Sequence, residues 1–163
     1  SGVSLRVSIA NYETLLGSAF KRALLQKENA SPRVSDLPAI IASPTGKIEL
    51  ESVEEGREHK VVIDLIKKAV LNVFARYYDP GEFDDVLVAF ENGLVVETGG
   101  EVPSSVYQGK VSALGNMAEM VRRVEPSDAA AAVASAVEFA LEGLHLNRRL
   151  NRDLIDGKNV YRS

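Results

Sequence analysis

Ser1-Gly2-Val3-Ser4-Leu5-Arg6, then an amphipathic run from Ile9 to Lys27, then Val34-Ser35-Asp36-Leu37, together have the pattern of a helical hairpin. Ser8 has the short hydroxyl of an N-cap, and Ile9, Tyr12, Leu16, Phe20 and Ala23 follow it at near-helical spacing. The spacing predicts a helix from about Ile9 to Lys27 that buries one stripe, with Arg6 just ahead of its mouth. Asn29-Ala30-Ser31-Pro32 stops it. Ser35 can then cap a second, shorter helix, with Asp36 near its positive end and Pro38 in its first turn. That helix runs out at Ser43-Pro44-Thr45-Gly46, a breaker cluster. Residues 1–45 therefore read as one helical hairpin, and residues 46–163 as an extension packed on it.

The extension alternates between long helices and short punctuation. Lys47 to Glu51 alternates polar and apolar, which suits a short strand. Val53 to Tyr78 predicts a long helix whose apolar positions (Val61, Val62, Leu65, Ile66, Ala69, Val70, Val73, Phe74, Tyr77) form a face broad enough to be buried on two sides. Asp79-Pro80-Gly81 ends it. Over residues 82–98 two rules conflict. Phe83, Val86, Leu87 and Phe90 mark a helix face, whereas Asn92-Gly93 between Val-rich runs is a hairpin signal. The favoured solution is a helix from Glu82 to Glu91 closed by Gly93, then a strand from Leu94 to Thr98 paired with Lys47 to Glu51. Pro103-Ser104 opens a helix broken near Gly109 or Gly115 and ending near Arg123, and Ser127 caps a last helix from Asp128 to about Asn151. The expected fold is mainly α, a bundle extended by long helices, with a small two-stranded β element.

Composition narrows the function classes. Apolar residues at 45% and charged residues at 26% place the 163-residue chain among globular proteins with a real core. Its net charge of −4 argues against a general nucleic-acid binder. The absence of cysteine excludes disulfides and thiolate metal sites and fits a reducing cytoplasm. Uncharged runs such as Ala129 to Val137 fall far short of the about 18 apolar residues a membrane span requires. No signal peptide is visible, and the opening Ser1 in place of Met suggests a processed or excised piece.

Phosphate-loop chemistry is missing from the sequence. A P-loop requires G-x-x-x-x-G-K-[ST], so that backbone N–H groups wrap the phosphates and the hydroxyl holds Mg²⁺. Gly46-Lys47 is followed by Ile48, Gly109-Lys110 by Val111 and Gly157-Lys158 by Asn159. No apolar run ends in Asp-Glu as a Walker B strand does, so the chain alone is expected not to hydrolyse ATP.

Gly2-Val3-Ser4-Leu5-Arg6 ahead of a helix, with Ala23 and Val34-Ser35-Asp36-Leu37 in register, resembles the lid subdomain of AAA+ ATPases in the MoxR and magnesium-chelatase I-subunit branch. Phe90-x-x-Gly93, Val102-Pro103-Ser104 with Tyr107, and Val137 to Leu146 look like the tail of chelatase-I-like members. The sensor-2 context differs from that of the chelatases of tetrapyrrole biosynthesis, so the resemblance implies a chelatase-like ATPase of unassigned process. It implies that Arg6 is the sensor-2 arginine, whose guanidinium would reach the γ-phosphate held by a separate core. It also implies ATP and Mg²⁺ as cofactors of a full-length protein, with none bound by this chain alone. The implied partners are the chain's own AAA+ core, neighbouring subunits of a ring and a protein bearing a von Willebrand A domain. The alternative is a stand-alone helical interaction module with no nucleotide role.

Other chemical candidates are weaker. Glu138, Glu142 and His145 share a helical face and have ligand-type side chains, but nothing marks a converging second helix. Helix–helix hydrogen bonds or a solvated face explain them better. Adjacent Asp84 and Asp85 point in different directions on a helix, which disfavours acid–base work. Arg148, Arg149, Arg152 and Lys158 could meet an acidic partner, yet positive charge at a helix C-terminus is stabilising by itself.

Overall fold

The computed structural model describes residues 5–42 and 57–163. Among them the chain is mainly helical, with α1 (Leu5–Gln26), α2 (Pro38–Ala42), α3 (Arg57–Tyr77), α4 (Asp84–Glu91), α5 (Ser104–Val111), α6 (Met117–Val124) and α7 (Ala130–Leu146). Three short strands complete it: β1 (Val96–Thr98), β2 (Asn151–Ile155) and β3 (Lys158–Arg162).

α1 begins earlier than its apolar spacing suggests. It starts at Leu5, so Ser8 lies inside the helix and caps nothing, and the backbone of Arg6 is already helical. Its end comes before the Asn29–Pro32 cluster, because Lys27 turns left-handed at φ 55° and Glu28 N–H closes onto Ala23 C=O at 3.0 Å. Ser35 sits in a 3₁₀ turn (Val34–Asp36), and Pro38 is the first residue of the five-residue α2. The cap of that turn is Asp36, whose carboxylate accepts the Arg33 N–H at 2.9 Å. The breaker cluster at 43–46 and the strand expected over 47–51 lie outside the described residues.

The centre of the molecule is α7. Ala134, Val137, Ala140, Leu141 and Leu144 are buried along it. Alanines keep its profile thin, and the helix is crossed by α5, α3 and α6. Gly143 marks the closest approach: a Cβ there would stand 1.9 Å from the Phe74 ring of α3. Phe74 stacks on Phe83 and tilts against Tyr78 and Phe139, so one aromatic cluster joins α3, α4 and α7.

Residues 82–98 resolve in favour of the helix. Phe83, Val86, Leu87 and Phe90 are all buried, and Gly93 at φ 91° closes α4. β1 follows and, among the described residues, pairs with β3 (Val96 opposite Tyr161), while the pairing expected with 47–51 lies outside the described residues. Among the described residues the sheet has three antiparallel strands in the order β1-β3-β2. α7 stops at Leu146, short of the Asn151 expected, and residues 147–150 turn the chain into β2 and β3. Arg148 at φ 61° and Arg149 N–H to Leu144 C=O end it. α7 also starts two residues late. Ser127 accepts the Ala129 N–H at 3.2 Å and leaves the N-cap position to Ala129.

α3 departs most from expectation. Phe74 is buried, but Val61, Leu65, Val73 and Tyr77 are 38–47% exposed. Among the described residues the helix is covered on one side only.

Candidate functional site

Between the hairpin and the extension lies a seam of buried charge. α1 turns a charged residue, Arg22, into the face that also carries buried Ala19 and Ala23. The Arg22 guanidinium donates to Asp36 Oδ2 at 2.8 Å, to Ser31 C=O at 2.6 Å and to Glu28 Oε1 at 3.2 Å. Arg33, in the loop before the 3₁₀ turn, donates to the same Glu28 Oε1 at 2.8 Å. It also donates to Val102 C=O at 2.8 Å and to Ser104 Oγ. Glu28 accepts the Ser104 backbone N–H at 2.7 Å through its second oxygen. Two arginines and two carboxylates thus balance, and they tie α1 and its loop to the start of α5.

Ionic groups out of water hold together only when every charge is paired and hydrogen-bonded. Here Arg22, Arg33 and Asp36 are 3–4% exposed. Asp36 further accepts from Ser18 at 2.8 Å and from Arg33 N–H, so both of its oxygens are engaged. Arg33 also lies 4.9 Å over the Tyr107 ring, a cation–π contact that joins this seam to a second polar cluster.

That second cluster is built on α7. Glu138, 1% exposed, accepts the Ser35 N–H at 2.8 Å, the Ser35 hydroxyl at 3.2 Å and the Tyr107 hydroxyl at 2.5 Å. Burial holds its carboxyl above the usual carboxylate range, against the pull of those donors and of Arg33. Burial and the neighbouring Glu138 charge push the Tyr107 phenol far up. One turn along α7, Glu142 meets Arg152 of β2 at 2.6 Å and the Tyr161 hydroxyl of β3 at 2.7 Å. Tyr161 is also raised by burial first, then by Glu142.

This geometry places several of the residues singled out by sequence. Glu138 and Glu142 do not converge with His145 on a common ligand position. Each carboxylate holds its own donors, and His145 Nδ1 contacts Leu150 C=O at 3.1 Å. Asp84 pairs with Arg149 at 2.9 Å on the surface, and Lys158 with Glu97 at 3.0 Å. Arg152, grouped with the basic end by sequence, belongs instead to the Glu142 cluster. Gly2, Val3 and Ser4 lie outside the described residues, as does the side chain of Arg6.

Sequence reasoning passed over Arg22, Glu28 and Arg33. The signal for Arg22 was present, since a charge flanked by Ala19 and Ala23 sits on the buried stripe of its own helix. Chemically the seam is a joint: its carboxylates and cations neutralise one another and leave no nucleophile beside a base. Among the described residues the cavities beside Gln108 and Arg122, and beside Glu91 and Arg148, hold about 150 and 170 Å³. Both fall below the range of small-molecule sites, about 300 Å³ and upward. No group of His, Asp and Glu suited to a metal ion occurs among the described residues, and no helix there is long and apolar enough to cross a membrane.

No family model, curated protein or solved structure matches this chain.

Proposed function

We propose that the chain is the lid and C-terminal extension of a magnesium-chelatase-like AAA+ ATPase, coupling ATP binding and hydrolysis in a longer protein to the remodelling of a partner. The observation that carries this reading is the ionic seam, which bolts one end of α1 to the body while Arg6 occupies the other end. Arg6 and Arg22 are sixteen residues apart on one continuous helix, about 24 Å of rigid rise. A guanidinium that gains and loses a phosphate at one end would therefore swing a lever whose far end is fixed to α5 and α7. ATP and Mg²⁺ would be supplied by the core domain, and the extension would relay motion to ring neighbours or to a von Willebrand A partner.

The test places Arg6→Ala in a longer protein that carries both a Walker core and this chain. ATP turnover should fall at least tenfold with helicity preserved, and unchanged turnover refutes the sensor role. The isolated chain should show no rise in melting temperature with ATP and Mg²⁺, and a clear rise would reveal an independent nucleotide site.

A second reading, a helical interaction module without a nucleotide role, is favoured by the apolar side chains that α1 leaves in solvent. Tyr12, Phe20 and Leu24 are 62%, 59% and 80% exposed. An upstream coding region with no Walker motifs would decide for it.

A further inference from the structure

We propose that the outer edge of β2 is a self-association site, through which two copies of this chain join their sheets antiparallel about a two-fold axis at Leu154. The pairing stands independently of the ATPase reading. Its basis is the alternation of backbone bonds in the β2–β3 hairpin. Ile155 lies opposite Lys158 across the two-residue turn Asp156-Gly157, so these two exchange N–H···O=C bonds, as do Asp153 with Val160 and Asn151 with Arg162. The N–H and C=O groups of Arg152 and Leu154 therefore point away from β3, along the open edge of the sheet. Among the described residues they have no partner within the chain. The opposite edge is already engaged: Val95, just ahead of β1, gives its C=O to Lys110 of α5 at 3.4 Å.

An unpaired edge flanked by exposed apolar side chains is a template for another strand. Leu154 is 75% and Ile155 49% exposed. Successive residues of a strand lie on opposite faces, so an added strand covers part of both.

Charge selects a second copy as the occupant, and also selects the register. Arg152 and Leu154 share one face of β2, and exposed Asp156 follows them at the turn. Arg-x-Leu-x-Asp is self-complementary when antiparallel. Centred on Leu154, the two leucines stand opposite each other, and each Arg152 stands opposite the partner's Asp156. Glu142 holds Arg152 through Nη1 alone, which leaves its other donors for that carboxylate. The neighbouring registers that also bring the free edge groups together fail on charge. One centred on Asp153 sets two carboxylates opposite each other, and one centred on Arg152 sets two guanidinium groups opposite. Pairing at Leu154 consumes the open edge of both copies and gives a six-stranded sheet. A seam of two short strands covers less than the about 800 Å² per partner of a standard interface, so the dimer is a weak one.

Disulfide trapping tests this, because the chain has no cysteine of its own. Residues directly opposite in a bonded pair stand about 5.5 Å apart at Cα, within disulfide reach. In this register the two copies of position 153, like those of position 155, are diagonal neighbours about 7–8 Å apart. In an oxidised glutathione buffer, Leu154→Cys should give a covalent dimer about tenfold faster than Asp153→Cys or Ile155→Cys, read on non-reducing gels. Sedimentation equilibrium of the wild type should show a monomer–dimer equilibrium with a dissociation constant on the order of 100 μM. Asp156→Asn keeps a residue that accepts φ 49° and removes the charge, and should raise that constant about threefold. Leu154→Lys should leave a monomer, with circular dichroism checking that the fold persists. Equal trapping rates at the three positions overturn the proposal, and so does fastest trapping at position 153. A wild-type chain still monomeric at about 1 mM overturns it too, and would leave the edge to a strand of another protein.

Discussion

Arg33→Met removes the cation at the middle of the seam while roughly keeping its volume. The substitution takes away the donors to Val102 C=O and Glu28, both at 2.8 Å, and to Ser104. It also leaves the Val102 carbonyl without this partner. Breaking a buried ion pair from one side costs about 3–5 kcal/mol, because the remaining charge stays out of water. Glu28 is partly shielded from that penalty. Its side chain is 14% exposed, and it keeps Arg22 at 3.2 Å and the Ser104 N–H at 2.7 Å. The expected loss therefore lies at the lower end, about 3 kcal/mol, or roughly 6–12 °C in melting temperature for a domain of this size. Urea denaturation followed by circular dichroism measures it, with Arg123→Ala as the control. Arg123 pairs with Glu82 at 2.7 Å on the surface, where solvent screens the charges and such pairs contribute little. A loss for Arg33→Met no larger than that of the control would refute the claim that the seam fastens hairpin to body.

Gly143→Ala should destabilise by about 3 kcal/mol or more, since its methyl would overlap the Phe74 ring at 1.9 Å in the tightest part of the core; an unaltered urea midpoint would show that α3 yields freely. Two left-handed glycines give a graded comparison. Gly115→Ala combines φ 57° with a Cβ 2.5 Å from Asp85 O, whereas Gly157→Ala at φ 77° meets nothing within 4 Å. The first should cost clearly more than the about 1 kcal/mol of backbone strain expected of the second, and equal losses would contradict the packing argument. Glu138→Gln tests the buried carboxyl by its pH dependence. Burial raises the folded-state pKa above the ordinary 4.5, so this group's stabilisation is complete below pH 4.5 and is lost as pH rises through the folded value. The wild type should accordingly lose stability relative to Glu138→Gln as pH climbs from about 4.5, in paired urea titrations, and a difference flat in pH would sink the assignment.

How much of this was legible in the sequence depended on whether the signal was local. The α4 face was readable because Phe83, at the cap of α4, and Val86, Leu87 and Phe90 within it recur at helical spacing, and burial of all four outweighed the Asn92-Gly93 hairpin cue. The mainly helical class followed from such patterns. The β2–β3 hairpin was equally local and was missed. Asp156-Gly157 separates Leu154-Ile155 from Asn159-Val160-Tyr161, and φ values of 49° and 77° give it the left-handed turn that such a dipeptide signals. The helical drift of Leu141, Leu144 and Leu150 masked it, because Leu150 continues the leucine run but is buried beyond the end of α7. Non-local facts were not readable at all. The apolar breadth of α3 implied cover on two sides, yet which neighbours reach it depends on how α2 and α7 pack. Nor could spacing reveal that Ser35, placed like a cap, would instead bind Glu138 more than one hundred residues away.

The chemistry of the seam argues for what it does. Well-packed apolar side chains of similar volume commonly stabilise as much as a buried ion network, or more. What ions add is direction: Arg33 satisfies Val102, Ser104 and Glu28 in one orientation of the loop against α5, and a slipped packing would strand a charge. Glu138 repeats this logic one layer deeper by accepting from Ser35 and Tyr107 together. The hairpin is thus held at one angle to α7, while Tyr12, Phe20 and Leu24 stay exposed to solvent. A fixed angle matters little to a helix that merely completes a core. It matters a great deal to one that must present a surface to something else, as either reading of the proposed function requires of α1.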